Sequence, residues 1–295
     1  MLVSLAAAST AHAQTAYAVN NSGTTLIRFD LSSPGTFTTI GDFTGAATFV
    51  DGLDFRASNG LLYGYEQNTN QLFTINTANA ATTLVTTLST ASSTFILGLD
   101  FNPQVVITPG VLEDRLRLVN PNDQNLRINV ATGVTNVDGA LTYEAGDSGF
   151  GINPEINEAA YTNNDNNINT ATQLYYIDSG RNVLATTASP NTGAITTVGT
   201  GLGVDTTVNN GFDIFTFGGV NSAFALLSPS GGSTGLYSIS LGGGGATFIG
   251  ALAGDNPVNL AYGLAIAPAV VPETGTVGLL AGAMIVAVPF LRRRK

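Results

Sequence analysis

A chain of 295 residues is long enough for one large all-β domain or two ordinary ones, and only 10% of it is charged, with a formal net charge of −10. It has no cysteine, which excludes a disulfide framework and a thiolate metal site. The single histidine, His12, falls in an apparent leader, so the remaining chain has no Ser-His-Asp or Cys-His machinery and no ordinary zinc site. Between Gln14 and Val270 six arginines stand against nineteen acids, a balance that repels nucleic acid and anionic lipid but tolerates cations and neutral sugars.

In chain order, residues 1–13 are small and apolar and end in Ala11-His12-Ala13, the A-x-A pattern of signal-peptide cleavage. The usual basic start is missing, so the leader reads as truncated at its N-terminus. From residue 14 to 270 the chain reads as a succession of short strands bounded by Asn, Gly or Pro. Tyr17 to Val19, Thr25 to Asp30 and Phe37 to Gly41 open the series, followed by Gly52-Leu53-Asp54-Phe55. That last motif returns as Gly98-Leu99-Asp100-Phe101, closely as Gly211-Phe212-Asp213-Ile214, and in worn form as Gly263-Leu264-Ala265-Ile266. Gly151-Ile152-Asn153-Pro154 reads as a degenerate fifth copy, and the copies start 46 to 60 residues apart. A period near 50 is the mark of propellers and related arrays. The expectation is therefore an all-β, five-bladed β-propeller of about 20 short antiparallel strands, with an open β-solenoid as the alternative. The series begins on the second strand of a unit and ends on a lone first strand, so the two ends should complete one blade and close the ring.

Residues 271–295 read differently. Thr274 to Leu291 is an uncharged run of 18 residues, just long enough to span a bilayer as a helix at ~1.5 Å per residue. Arg292, Arg293, Arg294 and Lys295 follow as a basic membrane stop.

Three sets of side chains are candidates for a site. Asp54, Asp100 and Asp213 recur between apolar neighbours and should be partly buried. They read either as calcium-type oxygen ligands around the central channel or, as their repetition favours, as a repeated structural hydrogen bond. Arg115, Arg117 and Arg127 hold half the arginines of the domain. They suit an anionic glycan or carboxylate, or else they neutralise the inner aspartates, the role favoured because buried acids need partners. The Asn-rich stretch from Asn163 to Asn169 lacks the spacing and glycine of an EF-hand loop and reads either as a sugar- or calcium-binding tip or as an ordinary flexible loop, and Gly242 to Gly245 opens no helix, so it is not a phosphate loop.

The wording Glu113-Asp114-Arg115-Leu116-Arg117-Leu118-Val119, Gln124 to Asn129, Val137 to Tyr143 and Glu158 to Asn163 resembles a bacterial family of exported, propeller-like proteins defined only as a domain of unknown function. The resemblance covers most of residues 16 to 267 and brings no catalytic residues. Val271-Pro272-Glu273-Thr274-Gly275, with the apolar run and basic end, resembles a PEP-CTERM sorting signal. It departs from Pro-Glu-Pro at Thr274 and is similar also to a sortase signal. The resemblance implies cutting near Pro272, Glu273 and Thr274 by an exosortase-type or sortase-type enzyme. The chain would be anchored in the inner membrane until then, and afterwards at the cell surface or outside the cell. The functional expectation is a surface or matrix protein that binds or scaffolds, with extracellular polysaccharide as a partner. A hydrolase or lactonase with a calcium-type channel site and a pure protein-interaction scaffold are the alternatives.

Overall fold

The computed structural model describes residues 14–20, 22–108, 111–164, 170–230, 232–252 and 261–268. Blade one contains β1 (Thr15–Asn20), β2 (Thr25–Asp30) and β3 (Ser33–Asp42). Blade two contains β4 (Thr44–Gly45), β5 (Gly52–Arg56), β6 (Leu61–Glu66), β7 (Gln71–Ile75) and β8 (Ala81–Thr87). Blade three contains β9 (Gly98–Thr108), β10 (Val111–Val119), β11 (Asn125–Ile128) and β12 (Thr135–Val137). Blade four contains β13 (Thr142–Tyr143), β14 (Ile156–Tyr161), β15 (Leu174–Asp178), β16 (Val183–Thr187) and β17 (Ala194–Val198). Blade five contains β18 (Gly211–Phe217), β19 (Val220–Leu227), β20 (Gly235–Ile239) and β21 (Ala246–Ala251).

The last strand, β22 (Ala261–Ile266), returns to blade one and pairs antiparallel with β1, setting Ala16 opposite Ile266 and Tyr17 opposite Ala265. Blade one therefore has the order β22-β1-β2-β3, with its inner strand from the C-terminal end of the domain. This is the closure that the phase of the repeats implies, and the open solenoid falls with it. Tyr262 tightens the joint by donating its hydroxyl to the Val50 carbonyl of blade two at 2.7 Å.

The inner strands β22, β5, β9, β14 and β18 contact one another in a ring around the axis. Alternation along them decides what faces where. Leu53 and Phe55 pack toward blade one, Leu99 and Phe101 toward blade two, Ala159 and Tyr161 toward blade three, Phe212 and Ile214 toward blade four, and Leu264 and Ile266 toward blade five. Five apolar cores result, one between each pair of neighbouring blades. Edge-to-face rings knit two of them, Tyr17 with Phe55 at 5.6 Å and Tyr63 with Phe101 at 5.2 Å. Burial falls from axis to rim: β14 is buried at every position, whereas β3 and β21 are mostly exposed.

One reading of the sequence is corrected. Gly151 to Pro154 is not an inner strand but an irregular stretch, exposed at its first three residues. The inner strand of blade four is β14, where Glu158 replaces the repeated glycine and Ala160 the repeated aspartate, so the motif is erased. The third strand of that blade, β16, had not been foreseen. The two-residue strands β4 and β13 were also unforeseen, and they pair parallel with the outer strands β8 and β17. Among the described residues no helix is long and apolar enough to cross a membrane. The expected leader with Ala11 and Ala13 lies outside the described residues. So do the sorting motif Pro272, Glu273 and Thr274, the apolar run, and Arg292 to Lys295.

The first glycine of the motif is explained by closeness of neighbouring inner strands. A Cβ on Gly98 would meet the Glu158 Cα at 2.5 Å, and one on Gly211 the Gly263 carbonyl carbon at 2.6 Å. Backbone cannot yield as a side-chain tip can. Gly98→Ala should therefore lower stability by about 1–3 kcal/mol through overpacking at the axis. Urea unfolding checks this, and a midpoint equal to that of the parent would contradict it.

Candidate functional site

The third residue of the repeated inner-strand motif faces the following blade. In blades two, three and five it is Asp54, Asp100 and Asp213; in blades four and one it is Ala160 and Ala265. The carboxylates reach across to the next inner strand. Asp54 Oδ2 accepts the Phe101 amide at 2.9 Å and Asp213 Oδ2 accepts the Ile266 amide at 2.6 Å. The Tyr161 amide donates to Asp100 in the same way. Asp54 Oδ1 also accepts the Phe55 amide at 2.7 Å. The three come from blades that are not all neighbours, yet one oxygen of each lies within 4.8 Å of those of the others. They therefore converge at the axis. All are 1–2% exposed.

Burial is the main force on these acids. Loss of water pushes all three carboxyls up, and their mutual repulsion adds to the effect at Asp54 and Asp100. Asp213 is raised to about 6 by burial, moderated by the Ile266 amide bound to its Oδ2 and by the Ile214 amide nearby.

At the N-terminal ends of the inner strands, two to three residues or roughly 7–10 Å from the aspartate position by strand rise, a cavity of ≈ 150 Å³ opens at the channel mouth. Every blade contributes to its lining: Asp51, Phe95, Glu158, Asn210 and Tyr262. Burial raises Asp51 to about 6 against the Gln67 amide at 2.7 Å, and raises Glu158 as well. Neither acid was singled out from the sequence, because neither position repeats: the residue before the motif glycine is Asp51 in blade two but Leu97, Asn157, Asn210 and Tyr262 in the others.

The three arginines come together elsewhere, in a crevice of ≈ 260 Å³ between blades three and four, with Asn102, Tyr161 and Asn191. Arg115, Arg117 and Arg127 alternate along β10 and lie across from it on β11, so one face carries all three. Arg117 is buried, and its guanidinium donates to Asp138 Oδ2 at 2.8 Å, Asn125 Oδ1 at 2.6 Å, Asn191 Oδ1 at 2.9 Å and the Tyr161 hydroxyl at 3.3 Å. Arg127 grips the same Asp138 with two bonds of 3.0 Å. The expectation that the arginines neutralise the axial aspartates is thus corrected for these two, whose acid is Asp138. Beside them the Tyr176 hydroxyl is buried without a hydrogen-bond partner, in the field of Arg117 and Asp138. A bidentate pair at Arg56 and Asp114, both bonds 2.6 Å, ties blade two to blade three.

A family model described as domain of unknown function (DUF4394) matches residues 25–261. The chain belongs to this family. No curated protein matches it. A crystal structure of a nidogen–laminin complex is similar at 9% identity and a TM-score of 0.45, covering 85% of this chain and 83% of that one. A structural genomics protein of unknown function from Bacteroides thetaiotaomicron is similar at 14% identity and a TM-score of 0.44, covering 71% and 52%. An auxiliary nutrient binding protein from the same species stands at 14% and 0.40, covering 71% and 55%. The DUF4394 match ends at Ala261 and so includes all three axial aspartates and all three crevice arginines.

The buried acids give a pH dependence of unusual sign. A carboxyl raised in the folded state binds its proton more tightly there than in the unfolded chain. Its stabilisation is therefore complete below the unfolded value near 4 and is lost as pH rises through the folded value. Asp51 and Asp213 place that loss near pH 6, and Asp54 and Asp100 extend it upward. Asp114 and Asp147 are lowered and act oppositely, weakening the fold only as pH falls below 4. In chelator and without added divalent cations, the melting temperature should fall from pH 5 to pH 8. A flat or rising profile over that range would contradict the assignment.

Proposed function

We propose that the protein is an exported, non-catalytic binding module of the cell surface or extracellular matrix, and that it takes an acidic glycan in the crevice between blades three and four. The observation that carries this reading is the concentration of Arg115, Arg117 and Arg127 in one crevice of an otherwise strongly acidic domain. Planar guanidinium forks match carboxylate groups, and Asn102, Asn191 and Tyr161 offer the neutral donors and acceptors that sugar hydroxyls need. Asp138 pre-sets Arg117 and Arg127 in position while balancing only part of their charge.

Export and surface attachment rest on the sequence. The A-x-A leader, the 18-residue uncharged run and the four terminal cations support secretion, transient anchoring in the inner membrane and cutting near Pro272-Glu273-Thr274 by an exosortase-type or sortase-type enzyme. The hydrolase alternative calls for convergent carboxylates that a substrate can reach. Asp54, Asp100 and Asp213 converge, but at 1–2% exposure they are closed to any substrate larger than an ion.

Affinity electrophoresis through gels holding polygalacturonate or neutral dextran tests the reading. The parent chain should be retarded by the acidic polymer alone, less so as salt rises, and Arg127→Gln with Arg115→Gln should weaken retardation at least tenfold. Equal mobility of parent and variant in the acidic gel would refute the crevice as the site.

A further inference from the structure

We propose that Asp54, Asp100 and Asp213 form a binding site for one hard divalent cation of the calcium class, on the propeller axis and separate from the arginine crevice. Three carboxylates from three blades present oxygens within 4.8 Å of one another, the spacing of ligands around a single ion. Their donors are oxygen alone, which suits calcium or magnesium and not the thiolate- or imidazole-seeking metals. Calcium is favoured because it accepts an irregular shell of six to eight oxygens, completed by water or carbonyls.

A second observation is independent of the clustering. Asp100 Oδ1 and Asp213 Oδ1 are buried and have no hydrogen-bond partner. The other oxygen of each is already engaged, by the amides of Tyr161 and Ile266. The next-blade amides therefore hold the Asp100 and Asp213 carboxylates in place and leave one buried acceptor on each with nothing to accept, while both oxygens of Asp54 accept amides. A buried acceptor of this kind calls for a proton or a cation. The chain supplies no guanidinium for the purpose from Arg117, the cross-strand neighbour of Asp100, whose donors go to Asp138, Asn125, Asn191 and Tyr161. The corresponding positions Ala160 and Ala265 limit the ring to three acids, a charge that a dication largely balances.

The test uses the full chain, purified, stripped with chelator and held at pH 7.5. Calcium at 1 mM should raise the melting temperature by roughly 5 °C, and elemental analysis after removal of free ions should find one calcium per chain. Asp213→Asn and Asp100→Asn should each abolish both effects. Should one variant fail to fold, the other and the parent titration decide the matter. A parent that neither gains stability nor retains metal overturns the proposal, as does a rise in melting temperature that persists in the asparagine variants.

Discussion

The structure depends on hydrogen bonds that cross from one blade to the next at the axis. In blades two, three and five the inner strand sends an aspartate to the main-chain amide of its neighbour, at Phe101, Tyr161 and Ile266. A propeller packs its blades with apolar faces, and apolar faces slide. A carboxylate bound to a particular amide does not, so these contacts fix the register between blades that five greasy interfaces leave loose. The cost is concentration of acid in the driest part of the molecule, and the raised carboxyls at the axis are its direct expression.

The same constraint connects architecture to candidate function. Asp100 and Arg117 are cross-strand partners on adjacent strands of blade three, with side chains on the same face. One turns to the Tyr161 amide and the other to the Tyr161 hydroxyl, so a single residue of blade four anchors both the axial acid and the inner end of the arginine crevice. Arg117 is thereby fixed and buried at the inner end of the crevice, whereas Arg115 and Arg127 are only partly buried. Rigid placement of guanidinium groups is what allows recognition of an acidic ligand without ordering cost at the moment of binding.

Much of this was legible in the sequence, and the exceptions are specific. The repeated Gly-Leu-Asp-Phe motif carries three physical requirements at once: a glycine where strands crowd, apolar residues facing one blade and an acid facing the other. Its recurrence therefore marked the inner strands, and the phase of the series foretold the pairing of β22 with β1. Blade four was misread because Glu158 and Ala160 discard the glycine and the acid while keeping the strand, leaving Gly151 as a false match. The grouping of Arg115, Arg117 and Arg127 could be read from spacing along one strand and across to the next. Their joint partner Asp138 could not, since β11 and β12 bring it back through a hairpin. The mouth acids Asp51 and Glu158 occupy different positions in their blades and so leave no periodic trace.

The blades are locked at the axis by amides whose acceptors are buried carboxylates of the preceding blade. Native-state hydrogen exchange followed by NMR measures it amide by amide. The amides of Phe101, Tyr161 and Ile266 should exchange only through global unfolding and rank among the slowest in the molecule. Exchange of these three at the rates of the rim strands β12 and β21 would contradict it.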